Sequence, residues 1–199
     1  MSSAPPVHPN VITAARIPLA PVAVAFMVLD TPTGIIVATV LALLLELTDI
    51  LDGQIARRYG VVSAFGKLFD PFSDAVTRYT LFLGMYAIGV ADLWMLIAIF
   101  FRDSSVSFFR SVAAIRQVVV AARFSGKLKA VVQGVGTQLI FISLLILKLA
   151  PDWGLPPQTP NAIMWIITLV TLGSLVDYFV GNLPILRAAW NDESVTHES

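Results

Sequence analysis

The sequence of 199 residues contains no cysteine and only two histidines, His8 and His197, both in its end segments. Without cysteine the chain has no disulfides, no thiolate metal ligands and no cysteine nucleophile. Charged residues make up only 13% of the chain, and 13 basic side chains balance 13 acidic ones without a long run of one sign. Because nucleic-acid binding typically needs a basic surface, we expect no nucleic-acid partner.

Apolar residues, in contrast, make up 57% of the chain. A soluble domain would need more polar surface, whereas apolar stretches of about 20 residues span a bilayer as helices. The sequence therefore predicts one all-α, polytopic membrane domain over residues 1–190, with an interfacial N-terminal segment and a disordered polar tail at 191–199. About six membrane spans are predicted, near residues 17–30, 33–57, 70–90, 92–115, 130–150 and 161–183.

The basic residues predict how this bundle is oriented, because Lys and Arg accumulate in short cytoplasmic loops. Of the 13 basic residues, only Lys148 falls on the side of the turns at 30–34, 89–92 and 150–160. Both termini and the loop at 57–67 are therefore expected in the cytoplasm. The first ten residues lack the basic stretch, apolar core and cleavage site of a signal peptide, so we expect the helices themselves to direct insertion.

Four aspartates interrupt the apolar pattern where the second span ends and the third begins. Asp49 and Asp52 are three residues apart, and Asp70 and Asp74 are four apart, so each pair lies on one face of its helix. A short linker with two glycines can bring both faces together. Each charge at mid-bilayer costs about 2.5–3.5 kcal/mol, so the aspartates need compensation. Oxygen ligands without nearby Cys or His favour Mg²⁺ or Mn²⁺, and a paired-metal site suits phosphoryl chemistry.

Three arginines also lie too deep in their predicted spans to be explained by membrane orientation alone: Arg78, Arg102 and Arg110. We expect carboxylates to be their partners, because an unpaired charge in a span is costly.

Taken singly, each aspartate would more often be an ordinary interfacial residue than a functional one. Together they follow the pattern Asp49-x-x-Asp52-Gly53-x-x-Ala56-Arg57, eight further residues, then Gly66-x-x-x-Asp70-x-x-x-Asp74. This pattern resembles the signature of the CDP-alcohol phosphotransferases, membrane enzymes that transfer a phosphatidyl or related group from a CDP-linked donor to an alcohol. The resemblance implies a metal-dependent transferase with two divalent ions, Mg²⁺ or Mn²⁺, at the four aspartates. Asp74 is also expected to be the general base.

The same signature implies a site for the donor nucleotide. Gly53 and Ala56 are small enough to let a cytidine and its pyrophosphate approach the helix backbone. Arg57 can bind a phosphate through two parallel hydrogen bonds. Gly66 is assigned to the nucleotide pocket, and a simple turn glycine is the alternative.

The resemblance covers most of the chain. Upstream, PNVITAARIPLAP is similar to the N-terminal segment of bacterial phosphatidylglycerophosphate synthases, and this adds Thr13 to the donor site. Downstream, RD followed by Arg110, and SGKLKA followed by Gln133, look like the Arg-Glu…Arg and Gly-Lys-x-Lys-Thr…Gln segments of the same enzymes. An anionic acceptor is expected at the basic residues of these segments, Arg102, Arg110, Lys127 and Lys129.

Three positions depart from those synthases: Asp103 replaces Glu, Ala130 replaces Thr and Ala75 replaces Lys. These departures leave the identity of the acceptor alcohol undecided. Transfer of phosphatidyl from CDP-diacylglycerol to sn-glycerol 3-phosphate is the first expectation, with inositol phosphate or another polar alcohol as the alternative. The resemblance also implies a bacterial-type inner or plasma membrane, a site facing the cytoplasm and a homodimer. Small-residue faces around Gly84 and Gly134 would permit close helix contacts.

An ion-conducting or ion-sensing membrane protein is the alternative from a different class, since it too would carry intramembrane carboxylates. A conduction path needs polar residues along its whole length, whereas here they cluster toward one side and the remaining spans are strongly apolar. A membrane scaffold would leave the aspartates unexplained. The Gly134-Val-Gly136 segment lacks the strand and third glycine of a dinucleotide loop, and it predicts close helix packing instead.

Overall fold

The computed structural model of the chain describes residues 9–59, 64–115, 123–183 and 187. These residues contain no β-strand, so the all-α prediction is confirmed. The six helices are α1 (Pro9–Val28), α2 (Pro32–Tyr59), α3 (Ala64–Ala87), α4 (Leu93–Ile115), α5 (Phe124–Leu149) and α6 (Thr159–Gly181). A 3-10 turn at Pro151–Trp153 lies between α5 and α6. The predicted polar tail, 191–199, lies outside the described residues.

Four of these helices are long and apolar enough to cross a membrane: α1, α2 as far as Asp49, α5 and α6. The other two differ in charge, because any membrane-length stretch of α3 or α4 includes at least three charged side chains. Four of those charges are ones that the sequence marks as functional: Asp70, Asp74, Arg102 and Arg110. The chain is therefore an integral membrane helix bundle, while the count of six spans stays a prediction.

The predicted turns are present between the helices. At the start of α2, the Thr31 hydroxyl accepts a hydrogen bond from the Gly34 amide at 3.0 Å, and Pro32 takes the first helical position. Gly89 has a φ of +75° between α3 and α4, a conformation that glycine adopts at little cost. These residues reverse the chain at the ends of apolar helices, as their types predict.

The described chain divides into two compact units. The first unit contains α1, α2, α3 and the part of α5 from Thr137 onward. Within it, α1 packs against both α2 and α3. The contact with α3 needs a glycine, because a Cβ at Gly84 would meet Cγ2 of Val24 at 2.8 Å. Gly84 thus permits close packing of α1 against α3 inside the chain.

The second unit contains α4, the part of α5 up to Gly136, and α6 from Ile163 onward. A Cβ at Gly136 would meet the Ile167 side chain at 2.8 Å, so the predicted close helix packing is confirmed at Gly136. Aromatic pairs join α4 to α6 at two places, Trp94 with Trp165 and Phe109 with Phe179, each with ring centroids 4.9 Å apart. The prediction of one domain over residues 1–190 stays a prediction.

Candidate active site

Arg16 lies at the centre of the polar cluster in the first unit. α1 places it between α2 and α3, where the residue is only 2% exposed. Its Nη1 donates to Oδ1 of Asp49 on α2, and its Nη2 donates to Oδ1 of Asp70 on α3 at 3.1 Å. A guanidinium suits this position because its donors form a rigid fork, whereas lysine offers one point charge. Aspartates from both halves of the signature thus share one buried cation.

Two hydroxyl groups fix α1 against the same part of α3. Thr13, one turn before Arg16, donates to Oδ1 of Asp70 at 3.5 Å. The hydroxyl of Ser73 donates to the carbonyl oxygen of Thr13 at 2.8 Å, and both of these side chains are buried. The predicted donor-site residue Thr13 is therefore in the aspartate cluster. Sequence reasoning missed Ser73, although a serine between two functional aspartates is a signal.

Asp74 lies one turn beyond Asp70 and pairs with a different cation. Nη2 of Arg78 donates to Oδ1 of Asp74 at 2.8 Å, and the Arg78 side chain is only 15% exposed. The two residues are four apart on α3, the spacing at which helical side chains meet. The expectation that Arg78 needs a carboxylate partner is confirmed.

A cavity in the first unit adjoins these carboxylates. It is lined by Arg16, Ala42, Leu45, Glu46, Asp49, Asp74, Thr77, Arg78, Leu81, Thr137 and Gln138. Glu46 lies one turn before Asp49 and extends the carboxylate face of α2 into the apolar part of the helix. Sequence reasoning missed Glu46, even though a glutamate within the run LALLLELT is as costly as the aspartates it did mark.

The remaining residues of the signature are on the same two helices. Gly66 lies in the first turn of α3, one turn before Asp70. Four others are on the last two turns of α2, where their side chains lie outside what the structure describes: Asp52, Gly53, Ala56 and Arg57. Among the side chains that are described, no three carboxylates or imidazoles form a metal-binding group. The two divalent ions stay a prediction.

Two of the four predicted acceptor residues meet at Asp103 in the second unit. Nη1 of Arg102 donates to Oδ1 of Asp103 at 2.8 Å, and Nζ of Lys129 donates to Oδ2 at 2.9 Å. Both cations are buried, and Nε of Arg102 also donates to the Ser174 hydroxyl of α6 at 3.0 Å. Arg102 thus has the carboxylate partner it was expected to need. Two cations and one carboxylate leave a formal charge of +1 at this cluster.

The other two predicted acceptor residues, Arg110 and Lys127, are exposed. In the described parts of the chain neither of them makes an ion pair with another side chain. The expectation that Arg110 has a carboxylate partner is therefore wrong within these residues, because its side chain is exposed rather than enclosed among the helices. Arg110 lies about two turns beyond Arg102 on α4. The prediction that all four bind an acceptor stays a prediction.

A second ion pair in this unit involves residues that sequence reasoning did not mark. Arg123, immediately before α5, donates from Nε and Nη2 to the two carboxylate oxygens of Asp177 on α6, at 2.7 and 2.6 Å. Ser125 also donates to Asp177. The hydrogen bonds from Arg123 to Asp177 raise the pKa of Arg123 above its ordinary value, so the guanidinium stays charged. Asp177 is the single charged residue of α6. A lone carboxylate in an apolar helix is the sequence signal that could have identified it.

Comparisons with known proteins bear on both clusters. The CDP-alcohol phosphatidyltransferase family profile matches residues 6–176, a range that includes α1 to α5 and most of α6. Several relatives carry the name CDP-diacylglycerol–glycerol-3-phosphate 3-phosphatidyltransferase, among them proteins from Treponema pallidum, Bacillus subtilis and Rickettsia bellii. The one from Treponema pallidum is 31% identical over 76% of this chain and 72% of its own length. Those from Bacillus subtilis and Rickettsia bellii are 28% and 26% identical, over 91% and 86% of this chain and 97% and 92% of their own lengths. The chain belongs to the CDP-alcohol phosphatidyltransferase family.

Proposed function

We propose that this chain transfers a phosphatidyl group from CDP-diacylglycerol to sn-glycerol 3-phosphate, releasing CMP and forming phosphatidylglycerophosphate. The names of relatives that align over most of their length support this reaction. The observation that carries it is the convergence of Asp49 and Asp70 on Arg16, with Asp74 one turn away. A polar cluster confined to one end of an apolar bundle suits a lipid headgroup reaction better than ion conduction.

The reaction exchanges one bond to phosphorus for another. The acceptor hydroxyl oxygen bonds to the phosphorus that carries diacylglycerol, while the bond from that phosphorus to the bridging oxygen breaks and CMP leaves with the electron pair. The acceptor's proton passes to Asp74, since the chain has no cysteine and its histidines are at residues 8 and 197. Arg78 holds Oδ1 of Asp74, so Oδ2 is the oxygen that takes the proton.

Two divalent cations, Mg²⁺ or Mn²⁺, belong to this proposal. The metal ligands that the signature offers are carboxylate oxygens, which hard ions prefer. Two of these aspartates, Asp49 and Asp70, already bind one positive charge, that of Arg16. Asp49, Asp52, Asp70 and Asp74 would hold the ions. When bound, the ions supply positive charge to the pyrophosphate of the donor. The nucleotide is assigned to Thr13, Gly53, Ala56, Arg57 and Gly66.

The product identifies the acceptor most directly. Purified protein is incubated with labelled CDP-diacylglycerol and separate alcohols, including sn-glycerol 3-phosphate, inositol 1-phosphate, inositol and glycerol. We expect CMP and labelled phosphatidylglycerophosphate from sn-glycerol 3-phosphate alone. A labelled product from inositol phosphate instead would establish the alternative acceptor. Cation flux in protein-containing vesicles without any lipid product would support the conducting or sensing class.

The orientation of the protein is a further prediction, with both termini and the site facing the cytoplasm of a bacterial-type inner membrane. Because the chain has no cysteine, single cysteines report accessibility without background. Phe65 and Asp152 are both exposed and lie at opposite ends of the predicted bundle. In intact cells an impermeant maleimide should label Asp152→Cys, and Phe65→Cys should react only after permeabilisation. Labelling of both positions from the outside would contradict this orientation.

Arg110 is predicted to bind the acceptor's phosphate. Arg102 and Lys129 share Asp103, whereas Arg110 has no ion-pair partner in the described parts of the chain. Loss of one charge-assisted contact costs about 1.5–3 kcal/mol, so Arg110→Gln should raise the KM for sn-glycerol 3-phosphate about 10- to 150-fold. Rates of CMP release at saturating donor measure this. Arg187→Gln, which removes another exposed cation, is the control. A higher KM for CDP-diacylglycerol alone would move Arg110 to the donor site.

We also expect a homodimer. Because Gly84 and Gly134 are both buried within the chain, the contact between the two subunits would use a different face from the small-residue faces that the sequence indicated.

A further inference from the structure

Thr77 is a buried polar residue of the active-site cavity for which the proposed reaction gives no role. It lies on α3, three residues after Asp74, and is 7% exposed. It lines the cavity, and its hydroxyl has no hydrogen-bond partner among the described residues. Because a buried hydroxyl without a partner is costly, this position points to an ordered water or a bound group in the cavity.

Other threonines in the helices show that this is not a general property of the chain. Five of them donate their hydroxyl to a carbonyl oxygen three or four residues earlier, at 2.7–2.9 Å: Thr39, Thr48, Thr80, Thr168 and Thr171. That bond is the ordinary way to satisfy a helical threonine. Thr77 does not make it, so its hydroxyl remains for a ligand in the cavity that it lines.

Gln138 of α5 contributes a second such atom to the same cavity. Its Nε2 donates to the carbonyl oxygen of Ala42 at 3.2 Å, which orients the side-chain amide. Its Oε1 is buried without a partner among the described residues. An amide oxygen only accepts, whereas a hydroxyl both donates and accepts. Thr77 and Gln138 together therefore match a ligand that has a hydroxyl group of its own.

The polar atoms at Thr77 and Gln138 favour a neutral hydroxyl over a phosphate. A phosphate dianion only accepts hydrogen bonds, so it would leave Oε1 of Gln138 without a donor. The guanidiniums of Arg16 and Arg78, which also line the cavity, already donate to aspartates. An alcohol would donate to Oε1 of Gln138 and accept from Thr77.

We propose that Thr77 and Gln138 bind the non-reacting hydroxyl group of the acceptor. They thereby select an acceptor that is a polyol phosphate with two hydroxyl groups on adjacent carbons. The inference rests on the proposed function, because it requires Asp74 to take the proton from the neighbouring hydroxyl. In sn-glycerol 3-phosphate the reacting oxygen is on C1, and the hydroxyl on C2 is the one that Thr77 and Gln138 bind. The phosphate group lies outside this cavity.

The test compares sn-glycerol 3-phosphate with 3-hydroxypropyl phosphate, which lacks only the C2 hydroxyl. The wild-type protein should favour sn-glycerol 3-phosphate in kcat/KM by about 10-fold or more, because the analogue leaves two buried polar groups unpaired. Thr77→Val keeps the shape of the side chain and removes the hydroxyl. It should lower kcat/KM for sn-glycerol 3-phosphate alone and reduce the preference to below about threefold. Thr77→Ser, which restores a hydroxyl, should keep the preference.

Two further variants make the result independent of one substitution. Gln138→Leu removes the amide oxygen and should also weaken the preference. Thr80→Val is the matched control, because the Thr80 hydroxyl already donates to the Val76 carbonyl oxygen at 2.8 Å, and it should leave the preference unchanged. Turnover of 3-hydroxypropyl phosphate shows that each variant is folded.

Equal losses with both acceptors, or an unchanged preference in both Thr77→Val and Gln138→Leu, would overturn the inference. A wild-type protein that uses sn-glycerol 3-phosphate without any preference would overturn it as well, while the proposed function would stand. A wild-type protein that uses neither acceptor but forms a lipid from another alcohol would overturn both.

Discussion

Asp74→Asn should remove turnover while leaving the protein folded and able to bind CDP-diacylglycerol. The amide keeps the shape of the side chain but cannot take the acceptor's proton. General-base catalysis contributes about 10²- to 10⁴-fold, so CMP release should fall by at least about 100-fold. The measurement is CMP release together with CDP-lipid binding, both across a Mg²⁺ titration.

Two other aspartates serve as comparisons for this variant. Asp49→Asn removes a charge that pairs with Arg16, and we expect metal affinity and donor binding to fall together. Asp30→Asn makes the same chemical change at an exposed ion pair with Lys148, 2.9 Å long, and should leave turnover intact. If Asp74→Asn turns over at a near wild-type rate, or excess Mg²⁺ restores it fully, Asp74 is only a ligand and another group is the base.

Arg16→Met should destabilise the protein strongly and also abolish turnover. It leaves Asp49 and Asp70 without their shared cation, and breaking a buried ion pair costs about 3–5 kcal/mol. We expect the lower end, about 3 kcal/mol, because the side chains of Asp49 and Asp70 are 35% and 48% exposed. Thermal unfolding in detergent measures the loss. Arg123→Met breaks a more exposed ion pair and should lower the unfolding midpoint much less.

A triple variant separates stability from catalysis at this cluster. Arg16→Met combined with Asp49→Asn and Asp70→Asn removes the cation and both of its partners, so no uncompensated charge remains. Stability should largely return, since replacing a whole ionic cluster costs far less than removing one member. Turnover should not return, because the aspartates are gone. A triple variant no more stable than Arg16→Met would show that charge compensation is not the role of Arg16.

The aspartate cluster could be predicted from sequence only as far as helical spacing reaches. Spacings of three and four residues place Asp49 with Asp52, and Asp70 with Asp74, and the short linker brings their helices together. Arg16 is 33 residues before Asp49, and no local pattern encodes their contact. That contact depends on how α1 packs, through the Thr13–Ser73 hydrogen bond and the close approach at Gly84.

The cluster of Arg102, Lys129 and Asp103 shows the same limit of prediction from local sequence patterns. The predicted depth of Arg102 indicated a carboxylate partner, and Asp103 is that partner. The same reasoning fails for Arg110, which is exposed. Lys129 reaches the same carboxylate from 26 residues away, so the sequence indicated its charge but not its neighbour. Thr77 and Gln138 gave no signal, because threonine and glutamine are ordinary in helices. Their lack of partners becomes visible only once the surrounding helices are in place.

Arg16, the cation that Asp49 and Asp70 share, also affects how the protein enters the membrane. Ribosomes synthesise α1 before α2 and α3, so Arg16 emerges well before Asp49 and Asp70. An arginine in the middle of a lone span costs about 2.5–3.5 kcal/mol on insertion scales, and this cost falls only when the partner helices arrive. We therefore expect α1 to insert stably into the bilayer together with α2 and α3 rather than alone. We expect the buried arginine to couple the assembly of the candidate active site to the insertion of the first three helices.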